Sequence, residues 1–162
     1  MSDLRKYGTR RDRYAYKRMI IGLQWYREKN FIIRFLTLTG VSRGKGWRRN
    51  FDKLRNYLRK RFGKFEYFAV RTDEGTYGVL HILFVGKAFR YGELSKWWAK
   101  QTGYWSIHIS RVKDFKGIGF EMTRQNKVAR YSQSRNWFKN KTKEEDIWFE
   151  GTSLMSKKIV KY

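Results

Sequence analysis

The run WRRNFDKLRNYLRKRFG constrains the fold most. Trp47, Phe51, Leu54, Leu58 and Phe62 recur at helical spacing, and Gly63 follows as a C-terminal stop. The segments around this helix read as strands. FIIRFLTLTG, residues 31–40, is rich in β-branched and aromatic residues and ends in glycine. FEYFAVRTDEGTYGVLHILFVG holds two strand-like runs joined by a turn around Asp73, Glu74 and Gly75, which predicts a hairpin. YGELSKWWAKQTG predicts a shorter helix with Leu94, Trp97 and Trp98 turned inward and Gly103 at its end. In WSIHISRVKD, Trp105, Ile107 and Ile109 alternate with Ser106, His108 and Ser110, the pattern of a strand with one polar face. The order β-α-β-β-α-β predicts an α+β fold, a ferredoxin-like or RRM-like antiparallel sheet with both helices on one face and the other face free for a ligand.

Charge narrows the class of partner. Thirty-eight Lys and Arg stand against 14 Asp and Glu, a formal net charge of +24. Solubility needs only about 2 to 8 net charges on a small domain, and a larger surplus carries a cost in self-repulsion. Such a surplus attracts polyanions and binds them by releasing their condensed counterions, which makes nucleic acid the expected partner, DNA ahead of RNA. Hydrophobic residues make up 41% of the chain and aromatics 19%, too much apolar material for a disordered basic tail. No run approaches the roughly 18 to 20 apolar residues of a membrane span, and residues 1–16 lack the apolar run of a signal peptide, so an intracellular, cytoplasmic protein without a membrane partner is expected. With no cysteine, disulfides and thiolate metal sites are excluded, and a metal would depend on His81, His108 and carboxylates.

Three regions follow from this reading. Residues 1–30 form a basic, aromatic N-terminal arm, read as either an electrostatic tether or a short helix on the core, the tether being preferred up to about Arg18. Residues 31–138 form the α+β domain, with a short helix expected around residues 125–133. Residues 139–162 form a C-terminal extension that carries the acidic cluster Glu144, Glu145 and Asp146.

Four pieces of this chain, FLTLTG, LRKRFGKFEYFAVRTDEG, GVLHILFVG and ARYSQSRNWF, resemble the HUH endonuclease domain of the rolling-circle replication initiators (Rep proteins) of plasmids and viruses. The resemblance runs through most of residues 31–138. In that family two histidines separated by one hydrophobic residue bind a divalent metal from a central strand, often with a carboxylate from the neighbouring strand, and a tyrosine on a following helix attacks a DNA phosphodiester. The resemblance implies His81 as a metal ligand for Mg or Mn, with Asp73 and Glu74 as the nearest carboxylates and Tyr131 as the candidate nucleophile. The pattern departs from the family at three points. Val79 and Leu83 stand where a second histidine belongs, Thr72 falls near the expected carboxylate, and GIGFEMTRQNK contains no tyrosine.

Nucleic-acid contacts are expected from three basic-aromatic clusters. The first comprises Arg10, Arg11, Arg13, Tyr14, Tyr16, Lys17 and Arg18, where tyrosines interleave with cations. The second is Arg124, Lys127, Arg130 and Arg135 around Tyr131. The third is Arg43, Lys45, Arg48 and Arg49 at a helix start, where backbone N–H groups also favour a phosphate. The leading reading is a DNA-binding protein with a degenerate initiator site, acting in replication or genome handling of a mobile element. An active nickase and ligase of single-stranded DNA using Tyr131 is the alternative, and an RNA-binding domain is a third; fold alone does not choose among them.

Overall fold

The central strand of the sheet is buried at every position, a consequence of apolar cover on both sides. The computed structural model describes residues 10–40, 46–72, 78–88, 90–103, 107–113 and 130–139. Within them lie α1 (Arg10–Glu28), β1 (Ile33–Thr39), α2 (Gly46–Phe62), β2 (Glu66–Thr72), β3 (Val79–Val85), α3 (Tyr91–Thr102), β4 (Ile107–Arg111), β5 (Arg130–Gln133) and α4 (Arg135–Lys139). The strands form one sheet in the order β4-β1-β3-β2-β5, with every neighbouring pair antiparallel. From β1 to β4 the elements run β-α-β-β-α-β, the α+β, ferredoxin-like order that periodicity predicts.

Helices α2 and α3 cover one face. Trp47, Phe51, Leu54 and Leu58 of α2 and Leu94 and Trp98 of α3 pack on Leu36, Leu38, Tyr67, Ala69, Leu80, Ile82, Phe84 and Ile107. Gly63 ends α2 at φ 88°, its N–H donating to the Arg59 carbonyl at 3.0 Å, and Gly103 ends α3 at φ 82°, donating to Ala99 at 2.7 Å. Both positions need a left-handed backbone, which glycine adopts without steric penalty. The Trp98 indole N–H donates to the Thr39 carbonyl at 2.8 Å and ties α3 to the end of β1. Trp98 is thus core, whereas Trp97 is half-buried and stacks on Tyr57 at 4.3 Å.

The opposite face is not free. Helix α1 lays Ala15, Tyr16, Met19, Ile20, Leu23 and Tyr26 over Ile33, Phe35, Phe68, Val70, Leu83 and Val85. The N-terminal region from Arg10 onward is therefore a helix of the core, and from Ala15 it shares the buried interior of the α+β domain. The physical reason lies in the strands. Alternate residues of β1, β2 and β3 are apolar on both sides, and an uncovered face would leave a large contiguous apolar patch in water.

Residues 130–133 also depart from the expected helix. They form β5, which pairs with β2 through Phe68↔Gln133 and Val70↔Tyr131. A four-residue run carries too little periodicity to separate helix from strand, and the unpaired edge of β2 decides between them. The following phrase turns back on β2: the Tyr67 N–H donates to Ser134 Oγ at 3.1 Å, and the Ser134 N–H donates to the Tyr67 carbonyl at 3.0 Å. Trp137 of α4 is then fully buried against Tyr26 and Phe68 and lies across Gly22 of α1. Residues 125–129 and 140–162 lie outside the described residues. No described helix is long and apolar enough to cross a membrane.

Candidate nucleic-acid interface and the histidine strand

The register of the sheet brings three residues singled out in the sequence into one line. Thr37 of β1 pairs with both His108 of β4 and His81 of β3, and Val70 of β2 pairs with both His81 and Tyr131 of β5. The row His108–Thr37–His81–Val70–Tyr131 therefore crosses the whole sheet on the side of α1. His81 stands two strands from His108 and two from Tyr131, roughly 10 Å in each direction at the usual strand spacing. Tyr131 is half-buried beside Phe68.

His81 is 5% exposed. Its Nδ1 lies 3.2 Å from Thr37 Oγ1, and its ring stacks on Phe35 with centroids 5.4 Å apart and planes 5° from parallel. Burial drives its pKa from the ordinary 6.5 to about 4, so the imidazole is neutral at physiological pH. Nε2 is buried with no hydrogen-bond partner, as is Thr72 Oγ1, which lies on the same side of the sheet where Thr72 pairs with Val79.

A neutral imidazole with an open nitrogen is a competent ligand, but the described residues around it do not complete a metal site. Val79 and Leu83 flank His81 along β3 on the same side, and among the described residues no three His, Asp or Glu side chains group to hold an ion. Asp73 and Glu74 lie outside the described residues. One buried imidazole among apolar neighbours does not fit a divalent cation, which needs several oxygen or nitrogen donors.

The basic clusters divide between the two layers. On α1, Tyr14 is 48% exposed with the Arg18 guanidinium 5.1 Å from its ring centroid, and Lys17 is half-buried. Burial lowers the Arg18 pKa, opposed by Tyr14. Tyr16 is 5% exposed and belongs to the core, which removes it as a stacking platform. Arg10, Arg11 and Arg13 occupy the first turns of α1. On the other layer Arg48 and Arg49 are exposed in the first turn of α2, Arg48 lying 5.9 Å from the Trp47 ring. Arg130 belongs to β5, and Arg135 is exposed at the start of α4. Arg43, Lys45, Arg124 and Lys127 lie outside the described residues.

The exposed side of α2 carries Arg48, Arg49, Lys53, Arg59, Lys60 and Arg61, opposite its buried stripe. Some cations of this helix serve the fold. Arg55 pairs with Asp52 and donates to the Tyr67 hydroxyl at 2.9 Å; burial works against its charge, and these two partners outweigh it and raise its pKa. Arg61 pairs with Glu93 of α3. Even if every carboxylate of the chain were paired with a cation, 24 cations would remain.

Helix α1 also occupies the sheet face on which RNA-recognition domains stack bases on exposed strand aromatics. Comparisons with protein-family models, with curated proteins and with solved structures give no match to this chain.

Proposed function

We propose that this chain is a DNA-binding protein, resembling a rolling-circle replication initiator in its strands and in the ARYSQSRNWF phrase, that works in replication or genome handling of a mobile element without cutting DNA itself. The observation that carries this reading is the uncompensated charge of +24, part of it displayed on the exposed side of α2 away from that helix's buried stripe. Phosphates are the natural counter-charge, and few features point to base readout, so tight binding with weak sequence preference is expected.

The histidine row supports the non-cutting form. His81 is enclosed between Phe35 and apolar neighbours, and Tyr131 stands on a strand rather than on a helix. Nicking by a tyrosine needs the phenolate oxygen and an electrophilic stabiliser at one phosphate. A single imidazole about two strands away from Tyr131 does not provide that arrangement.

Fluorescence anisotropy of labelled oligonucleotides against salt tests the reading. With about 6 phosphates engaged, log affinity should fall against log salt with a slope near −5 on duplex DNA, and a slope near zero would remove the electrostatic argument. Incubation of single-stranded oligonucleotides with magnesium or manganese should leave no covalent adduct on a denaturing gel. An adduct lost in both Tyr131→Phe and His81→Ala would establish the nickase instead.

A further inference from the structure

At the end of the sheet where β1 begins, aromatic side chains come to the surface. Asn30 takes a left-handed conformation, φ 61°, as α1 gives way to β1, and the Phe31 N–H donates to the Tyr26 carbonyl at 2.9 Å. This turn folds Phe31 back onto the helix it has just left. Its ring stacks on Trp25, with centroids 6.4 Å apart and planes 22° from parallel, and meets Tyr26 edge-on at 5.6 Å. Phe31 nevertheless remains 51% exposed and Ile32 43% exposed. A ring held by two others and still half in water is a pre-ordered surface for a further planar group.

Cations stand at this corner. Lys29 Nζ lies 5.8 Å from the Trp25 ring centroid. The Val112 N–H donates to the Ile33 carbonyl at 2.8 Å, and Ile33 pairs with Val85 on the other side. β3 ends at Val85, opposite Ile33, so Gly86 and Lys87 leave the sheet at the same end as Phe31, and Val112 and Lys113 leave β4 there too. Lys87 and Lys113 are both exposed at that end; Val112 is buried on the side of α1, so alternation turns Lys113 toward the opposite face, away from Phe31. Of the nearby carboxylates, Glu28 ends α1, and Glu66 on β2 accepts from Asn136 at 3.2 Å.

We propose that Trp25 and Phe31, with Lys29 and Lys87 at the same end of the sheet, form a stacking site for single-stranded nucleic acid, with a base on the Phe31 ring and its flanking phosphates at the lysines. The inference deepens the DNA-binding reading and rests on it. Two exposed apolar side chains fall far short of the roughly 800 Å² per partner of a stable protein interface, whereas one base needs only a ring face and a neighbouring cation. The two lysines supply the charge that an apolar protein groove would lack.

The test uses the full chain and a labelled oligothymidylate of about 20 nucleotides, with an oligouridylate and a duplex of equal length as comparison arms. Phe31→Leu keeps an apolar side chain against Trp25 but removes the aromatic face, and should weaken oligothymidylate binding about tenfold with the salt slope unchanged. Phe31→Trp should retain wild-type affinity. Lys29→Gln with Lys87→Gln should flatten the slope by about 1.4, at ~0.7 per single-strand phosphate contact. Oligouridylate should bind comparably, because stacking does not read the sugar. If Phe31→Leu loses stability, Phe31→Trp and the lysine pair carry the test. Binding of the single strand unaffected by the variants, or binding of the duplex alone, would refute this site and leave the DNA-binding reading standing. Failure to bind any of the three at low salt would overturn both.

Discussion

An added methyl group at Gly22, in the middle of α1, would collide with a buried ring. A Cβ there would lie 2.3 Å from Nε1, 2.5 Å from Cε2 and 2.8 Å from Cδ1 of Trp137. Ordinary carbon contacts sit near 3.5 to 4.0 Å, so the indole must retreat by more than about 1 Å. It has little room to do so, since Trp137 is fully buried between Tyr26 at 5.1 Å and Phe68 at 5.9 Å. Overpacking of this kind costs about 1 to 3 kcal/mol, and expelling the ring altogether would approach the ~3 to 5 kcal/mol of a Trp truncation. Against this, alanine in mid-helix gains about 1 kcal/mol over glycine. Gly22→Ala should therefore destabilise the chain by about 2 kcal/mol, read as a lower urea midpoint at unchanged slope together with a red-shifted tryptophan emission. The decisive measurement is the same substitution in a Trp137→Ala background. With the ring gone, only the helix preference remains, and Gly22→Ala should become stabilising by ~1 kcal/mol. The same effect of Gly22→Ala in both backgrounds would refute the close packing of α4 on α1.

Stability should also depend on pH through His81. Its folded pKa, about 4, lies below the ordinary 6.5, so the unfolded chain binds the proton more readily. The stability held by the neutral imidazole is complete above pH 6.5 and drains away as pH falls toward 4, by ~3 kcal/mol in total; His81→Leu should flatten urea midpoints across that window. Deleting residues 1–18 removes Ala15 and Tyr16 from the core as well as five of the cations expected at the nucleic acid. The truncated chain should lose ~3 kcal/mol or more, seen as a lowered melting temperature, and a truncation that weakens DNA binding without that loss would show that the first half of α1 is dispensable to the fold.

Local periodicity carries most of what the sequence determined. The stripe of α2, the αL glycines at 63 and 103, the alternation of β4 and the β2–β3 hairpin each report burial within a single element, and their order alone predicts the α+β sheet. The +24 charge, on which the proposal of a polyanionic partner rests, likewise needs no structure to be read. Contacts between distant parts of the chain decided the rest. The apolar residues of α1 are interleaved with Arg and Lys, so its buried stripe becomes plain only when the sheet face beneath it is found to be apolar. Residues 130–133 are too short to declare a conformation and take theirs from the open edge of β2. His108, His81 and Tyr131 share a row because two strand registers on either side of β3 align them, and register is a property of paired strands that no single strand encodes. The same pairing brought the end of β3, and with it Lys87, to the end of the sheet where Phe31 stands, more than 50 residues away along the chain, because backbone hydrogen bonding brings neighbouring strands within about 5 Å whatever their separation in sequence.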